Sequence, residues 1–491
     1  MSNLSELLPA GAGAKSADFV ASGTLGSGVT VALKSDGTVE AVAETQQSQS
    51  VGTPVSVTGR ASEWQAAVYD STNNKIVLVW KDTGGSGQGD AVVGTVSGNT
   101  ISFGSIAREV IGTAANRGYN LAYDSTSGKI IVGYQRDSTS YYEAAVGTIS
   151  GTSISFGTPV VFSSVSSATV GPYTIQVIYD PSANKTAFIY YSGSGDATRG
   201  RAKVGTVSGT SISFGSETTW SSGNVGTNLS VFDTNRNEIV TIFKKNYGTR
   251  EAFGIVASIS GTSISFNSET SFASSNVYGA YQALAYDSEN SRFVILYRNS
   301  SSEGVYVVAT NTGTLSYGTT TQFASANTYN DGQAVYDSVN NAVIISWSPT
   351  YAGTGTIRAA TVNPATNTLS FGSSIQYQAN SLNYQRLAFD SGNGKVCVFY
   401  QYVTGSNIGY SVIYQAPYLL SNNTDFIGIT DQAIADTATG AVIVQGGVSD
   451  KVTGLTANTD YYVQADGSIS TTVSSVPAGR ALSTTSILLE G

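Results

Sequence analysis

The chain has 491 residues, a formal net charge of −9, 12% charged residues and no basic run of five or more. Nucleic-acid binding needs a concentrated positive footprint, so that class is excluded. Histidine is absent and cysteine occurs once, which removes Ser-His and Cys-His nucleophile pairs, intrachain disulfides and the commonest metal ligand, and no cofactor or metal is expected.

Residues 1–18 lack an apolar h-region, and no apolar run reaches 18 residues. Neither a secretory signal nor a membrane-spanning helix is expected, and membrane is set aside as a partner. The segment reads as an N-terminal docking segment. Residues 19–47 read as a hairpin, because Asp36-Gly37 sits between alternating apolar positions, the signature of a tight β-turn.

Internal repeats dominate residues 48–416. An aromatic-Asp pair recurs at Tyr69-Asp70, Tyr123-Asp124, Tyr179-Asp180, Phe232-Asp233, Tyr286-Asp287, Tyr336-Asp337 and Phe389-Asp390. The spacings are 54, 56, 53, 54, 50 and 53 residues. A second motif follows in phase: VSGNTISFGS at 96–105, ISGTSISFGT at 149–158, VSGTSISFGS at 207–216 and ISGTSISFNS at 259–268, with weaker copies at 311–319 and 364–373. The first repeat predicts four strands: A (WQAAVYD), B (KIVLVWK), C (DAVVGTVS) and D (TISFGSIAREV), separated by Gly, Asn, Asp and Ser. Four-stranded units repeated seven times predict an all-β, seven-bladed β-propeller, with a solenoid as runner-up. The seventh repeat has only three strands, and the segment SVGTPVSVTG at 50–59 resembles the strand-D stretch SFGTPVVFSS at 155–164. It is therefore expected to complete the last blade and close the ring. The recurrent Asp is expected to accept backbone N–H bonds in the A–B turn. Cys397 lies in the apolar run KVCVFY and reads as a buried small hydrophobe.

Candidate chemistry sits at the start of strand A. Aromatic-amide steps occur there as Trp64-Gln65, Tyr119-Asn120, Tyr281-Gln282 and Tyr384-Gln385, with Gln176, Asn228 and Gln333 near the same level. Rings stack on sugar C–H faces and amides bond hydroxyls, so these residues are candidate glycan ligands at one mouth of the central tunnel. The alternative role is to fill the tunnel neck. The B–C and D–A loops vary between repeats while the A–B and C–D turns are nearly uniform, and variable loops suit recognition. Tyr141, Tyr142, Tyr247, Tyr278, Tyr329 and Tyr351 are expected to add aromatic surface on that face. Glycosidase chemistry needs a carboxylate pair, and Asp331 is the one acid at this level. Arg117 and Arg386 make no cluster, so no enzyme is expected.

Residues 417–491 read as a C-terminal β mounting domain, with Asp466-Gly467 in a second hairpin. The run GLT-x-x-x-x-YYV-x-x-DG-x-IST at 454–471, AGRALS at 478–483, and the opening NLSELLPAGAGAKSADFVASGTLGSGVTVALKSDGTV resemble the ends of virion structural proteins of tailed bacteriophages of marine bacteria. The resemblance covers about a quarter of the chain. It implies a capsid-decorating or tail-appendage protein on the surface of an extracellular particle. Other virion proteins would then be partners through the terminal segments, with host-surface glycans and copies of the chain as further partner classes. A lectin-like adhesin is the alternative.

Overall fold

The structure, a computed structural model, describes residues 15–490 apart from 113, 166–173, 194–197, 222, 246–249, 275–276, 326–329, 349–352 and 404–406; at 278–282 and 330–331 it describes the backbone alone. Among the described residues the chain is all-β, with antiparallel strand pairs and one 3-10 turn, Asn423–Asp425. No helix there is long and apolar enough to cross a membrane. The chain divides into two compact units, one from residues 1–48 and 417–491, the other from residues 49–416.

In the larger unit, repeats two to six each form a separate sheet of one plan. Repeat two shows it: Asn116–Asp124 (A), Lys129–Arg136 (B), Tyr142–Ser150 (C), then Ser153–Phe156 and Val160–Ser163, both paired with C. Strand D, expected as one strand, is thus two. In repeat one Phe103 opposes Gly94 and Ala107 opposes Ala91, so four steps along D match three along C. The extra residue breaks the ladder as a bulge does. The B strands are buried on both faces; all seven residues of Ala342–Ser348 are buried.

The first and last repeats share a nine-stranded sheet. Val55–Asp70 pairs through its C-terminal half with Lys75–Asp82. Through its N-terminal part it pairs with Ile408–Gln415 of the last repeat, with Ser56 opposite Tyr410, and Ser50–Val51 continues that pairing. Segment 50–59 therefore supplies the last repeat's fourth strand. Val57 packs there with Ile76, Leu78 and Trp80 of repeat one and Cys397, Phe399 and Ile413 of repeat seven. Cys397 is fully buried, and burial pushes its thiol well up, which leaves it inert.

The SFG motif has a steric reason. At Gly104, Gly157 and Gly215 a Cβ would lie 2.1, 2.0 and 2.0 Å from the carbonyl oxygens of Thr152, Thr210 and Thr262, each in the C–D turn of the next repeat. Gly52 makes the same approach to the Asn99 carbonyl, at 1.8 Å, in the C–D turn of repeat one. Where repeat four carries Asn267 instead, its amide donates to the Gly313 carbonyl of the following turn. At these four glycines neighbouring sheets touch backbone to backbone, an approach that a Cβ would block.

The recurrent Asp caps each A–B turn. All seven accept the backbone N–H three residues on, from Asn73, Ser127, Ala183, Arg236, Asn290, Asn340 and Asn393. All seven are buried. Asp337 also accepts from the Val339 N–H at 3.1 Å and the Asn340 side chain at 2.6 Å. Asp337→Ala leaves those donors unmet and is expected to cost about 2–3 kcal/mol in urea unfolding; a loss below about 0.5 kcal/mol would deny the turn this role. The preceding aromatic ties repeats together: Tyr123 Oη bonds Thr72, Tyr179 Oη bonds Thr126, and Tyr69 Oη accepts from the Gly392 N–H of the last repeat.

The smaller unit joins both ends of the chain. Ser16–Val20, Thr439–Val444, Phe426–Thr430, Thr30–Leu33 and Val39–Ala41 form one sheet in that order. Val448–Ser449, Ile487–Leu489, Pro477–Ala481, Asp460–Val463 and Ile469–Ser470 form another. Ala32, Ile429 and Ile443 of the first pack against Tyr461, Val463, Ala478 and Ile487 of the second. Both Asp-Gly pairs make hairpin turns with glycine φ of 83° and 84°, at Gly37 and Gly467. Residues 1–14 of the expected docking segment lie outside the described residues.

Candidate functional site

Among the described residues, strand A of repeats two to seven ladders only with strand B, which leaves its other edge outside the sheet. These strands contact one another in sequence: Val55–Asp70, Asn116–Asp124, Ile175–Asp180, Val225–Asp233, Tyr278–Asp287, Asn330–Asp337 and Leu382–Asp390, and the last contacts the first. Their edges border one cavity of roughly 160 Å³ to which all seven repeats contribute. Four of its polar lining residues, Asn120, Gln176, Gln333 and Arg386, stand four residues before the turn Asp of their repeats; Ser230 is the fifth.

The amides serve this edge. Gln176 donates to the Ile175 carbonyl at 2.9 Å and Gln333 to the Gly332 carbonyl at 2.8 Å. Arg386 bonds the Gln385 carbonyl, and Asn120 Oδ1 accepts the Val177 N–H of the next repeat at 2.8 Å. A carboxamide has two donors and two acceptor sites, and these bonds hold the groups at the cavity wall. Among the described residues Arg386 is the sole ionisable one lining it.

The predicted aromatic-amide steps are not one ring. Trp64 and Tyr384 do meet, with ring centroids 5.3 Å apart. Each has positive φ, 56° and 53°, and each lies two residues before a cavity residue, Ala66 or Arg386. Tyr119 is 1% exposed, within the apolar cluster of repeats one and two beside Tyr134. It has no ring face for a sugar. The reason is phase: Tyr119-Asn120 stand one residue nearer their Asp than Trp64-Gln65, and a one-residue offset turns a side chain to the opposite face. Asn120 therefore reaches the cavity and Tyr119 the core. Gln65 and Gln385 are buried too; Gln65 lies 3.4 Å from Ser62 Oγ, and Gln385 accepts from Ser346 at 2.6 Å and from Tyr377. Asn228 is buried and donates to the Ile189 carbonyl. The side chains of Tyr278, Tyr281, Gln282 and Asp331, and all of Tyr247, Tyr329 and Tyr351, lie outside the described residues. Tyr142, expected at the surface, is fully buried and donates to the Tyr191 carbonyl.

Among the described residues no carboxylate lines the cavity. Arg117 pairs with Asp137 at 3.0 Å, outside the cavity lining that includes Arg386. Among the described residues no three His, Cys, Asp or Glu are placed to hold a metal.

No family model and no curated protein matches the chain. Solved structures do. The BP39L lectin from Burkholderia pseudomallei matches with a TM-score of 0.54 at 13% identity, over 74% of this chain and 99% of that one. The NanB sialidase from Streptococcus pneumoniae gives 0.42 at 11%, over 76% and 70%. AofleA from Arthrobotrys oligospora gives 0.41 at 9%, over 73% and 99%. The first is a likeness of fold, of the propeller and lectin-like kind; the other two fall below the level that defines a shared fold.

Proposed function

We propose that residues 49–416 are a seven-bladed β-propeller that binds carbohydrate without catalysis, in the cavity at its axis. The observation that carries this reading is one cavity bordered by strand A of all seven repeats, with three amides, a serine and a guanidinium among its lining residues. The cyclic contacts of the A strands and the strand that residues 50–59 lend to the last repeat support a closed ring. The likeness of fold to a lectin accords with it. Fixed amides match sugar hydroxyls, and Arg386 favours a ligand with an acidic substituent. The tilted Trp64–Tyr384 ring pair, two residues before the cavity on its strands, offers apolar surface next to it. A glycan array probed with the full chain tests the reading. Binding to acidic glycans is expected, with Arg386→Ala weakening it by 10-fold or more at an unchanged Tm. Absence of binding across the array, or binding indifferent to Arg386→Ala, would contradict it.

A second reading concerns the smaller unit. We propose that it mounts the propeller on a virion, as a capsid-decorating or tail-appendage domain. Its support is that both chain ends fold into one unit with the repeats inserted between them, together with the resemblance carried by 454–471. A chain lacking residues 417–491 is expected to stay out of assembled particles; incorporation of that truncated chain would overturn the mounting role.

A further inference from the structure

We propose that the face carrying the A–B turns holds a second saccharide site, for a neutral sugar, in the recess between repeats four, five and six. This recess has a volume of roughly 370 Å³, in the range of small-molecule sites. The same triplet builds it three times over. Phe232 and Thr234, Tyr286 and Ser288, and Tyr336 and Ser338 flank the turn aspartates, and all six line the recess. Three rings and three hydroxyls from adjacent repeats therefore face one space.

The aspartate inside each triplet is unavailable to a ligand. Asp233, Asp287 and Asp337 are at most 2% exposed and accept the N–H bonds of their own turns. Among the described residues no charged side chain lines the recess. An ionic ligand thus finds no counter-charge there, and a purely apolar one leaves three hydroxyls without partners. A neutral sugar satisfies both halves: its C–H faces stack on rings and its hydroxyls exchange bonds with Ser and Thr. The rings are held in place beforehand. Tyr336 Oη donates to Asn341 at 2.9 Å, and Tyr286 stacks on Phe293 with centroids 4.6 Å apart. Such rigidity lowers the ordering cost of binding. Repeats two and three close the same level with the Tyr123–Thr72 and Tyr179–Thr126 bonds, which Phe232, having no hydroxyl, cannot make.

This site shares Leu284 with the central cavity but draws its rings and hydroxyls from residues outside that cavity's lining, and it does not require the central cavity to bind anything. The test uses the full chain in saturation-transfer NMR and calorimetry with maltotetraose, cellotetraose and lactose. Ser338→Trp, at an exposed position, fills the recess; Ala67→Phe fills the central cavity. At least one neutral sugar is expected to bind, at least 10-fold more weakly to Ser338→Trp and unchanged to Ala67→Phe, with both variants melting like the parent chain. The proposal is overturned if no neutral sugar binds, if Ala67→Phe abolishes all binding while Ser338→Trp has no effect, or if the recess takes an apolar dye displaced by Ser338→Trp but none of the sugars.

Discussion

Val57→Asp is expected to lower the stability of the larger unit by about 4 kcal/mol or more, measured by urea unfolding at pH 7. Val57 is 7% exposed. It lies in the strand that residues 50–59 lend to the last repeat, within a cluster that joins Ile76, Leu78 and Trp80 to Cys397, Phe399 and Ile413. The members of that cluster are apolar side chains and the Cys397 thiol, so a carboxylate placed among them is desolvated or the strand leaves the sheet. Leaving exposes the edge of Ile408–Gln415, a template for association with other chains. Aggregation on unfolding is expected to rise along with the loss of stability. The control is Val161→Asp at a 47% exposed strand position, which should change stability by less than about 0.5 kcal/mol. Equal losses in both variants would mean that the segment does not seal the last repeat.

Gly52→Ala is the second large effect. Its Cβ would stand 1.8 Å from the Asn99 carbonyl oxygen, closer than any contact allows, and that oxygen belongs to backbone. The sheets must part, at an expected cost of about 3 kcal/mol. Gly157→Ala meets the Thr210 oxygen at 2.0 Å and should cost about the same. Agreement between the two would place the junction of repeats seven and one on the same footing as an interior junction. Gly372→Ala, whose Cβ would stay 3.3 Å from the Ala359 oxygen, should be milder. A Gly52 variant as stable as the parent chain would deny the close approach on which the proposed ring depends.

These positions also show what could be read before the structure. The aromatic-Asp pair was legible because its chemistry is local. A carboxylate that takes backbone N–H bonds three residues ahead repeats wherever the turn repeats, and its recurrence counts the repeats. The likeness of 50–59 to 155–164 was legible for a similar reason, since the SFG glycine is dictated by contact with the next turn. Strand D was read as continuous because the extra residue between Phe103 and Ala107 leaves no mark in the pattern of apolar residues.

The cavity residues were harder to find. The register of strand A shifts between Glu63 and Ala66, Arg117 and Asn120, and Asn383 and Arg386. An aromatic-amide pair therefore does not face the same way in every repeat. Counting back from the turn Asp separates Asn120, Gln176, Gln333 and Arg386 from the buried Gln65, Tyr119 and Gln385. That count was available in the sequence; the irregular register that makes it necessary was not. The recess between repeats four and six was hidden because its rings belong to the motif that builds the turn, and a structural role had already accounted for them.

The central claim is that the axial cavity binds sugar. It is tested most directly by titrating the parent chain and Ala67→Phe with the acidic glycan that binds best on the array. Ala67 borders the cavity, and a benzyl group there occupies the volume the ligand needs. Affinity is expected to fall at least 100-fold with the Tm shifted by no more than a few degrees. Unchanged affinity in a folded Ala67→Phe chain would contradict the account.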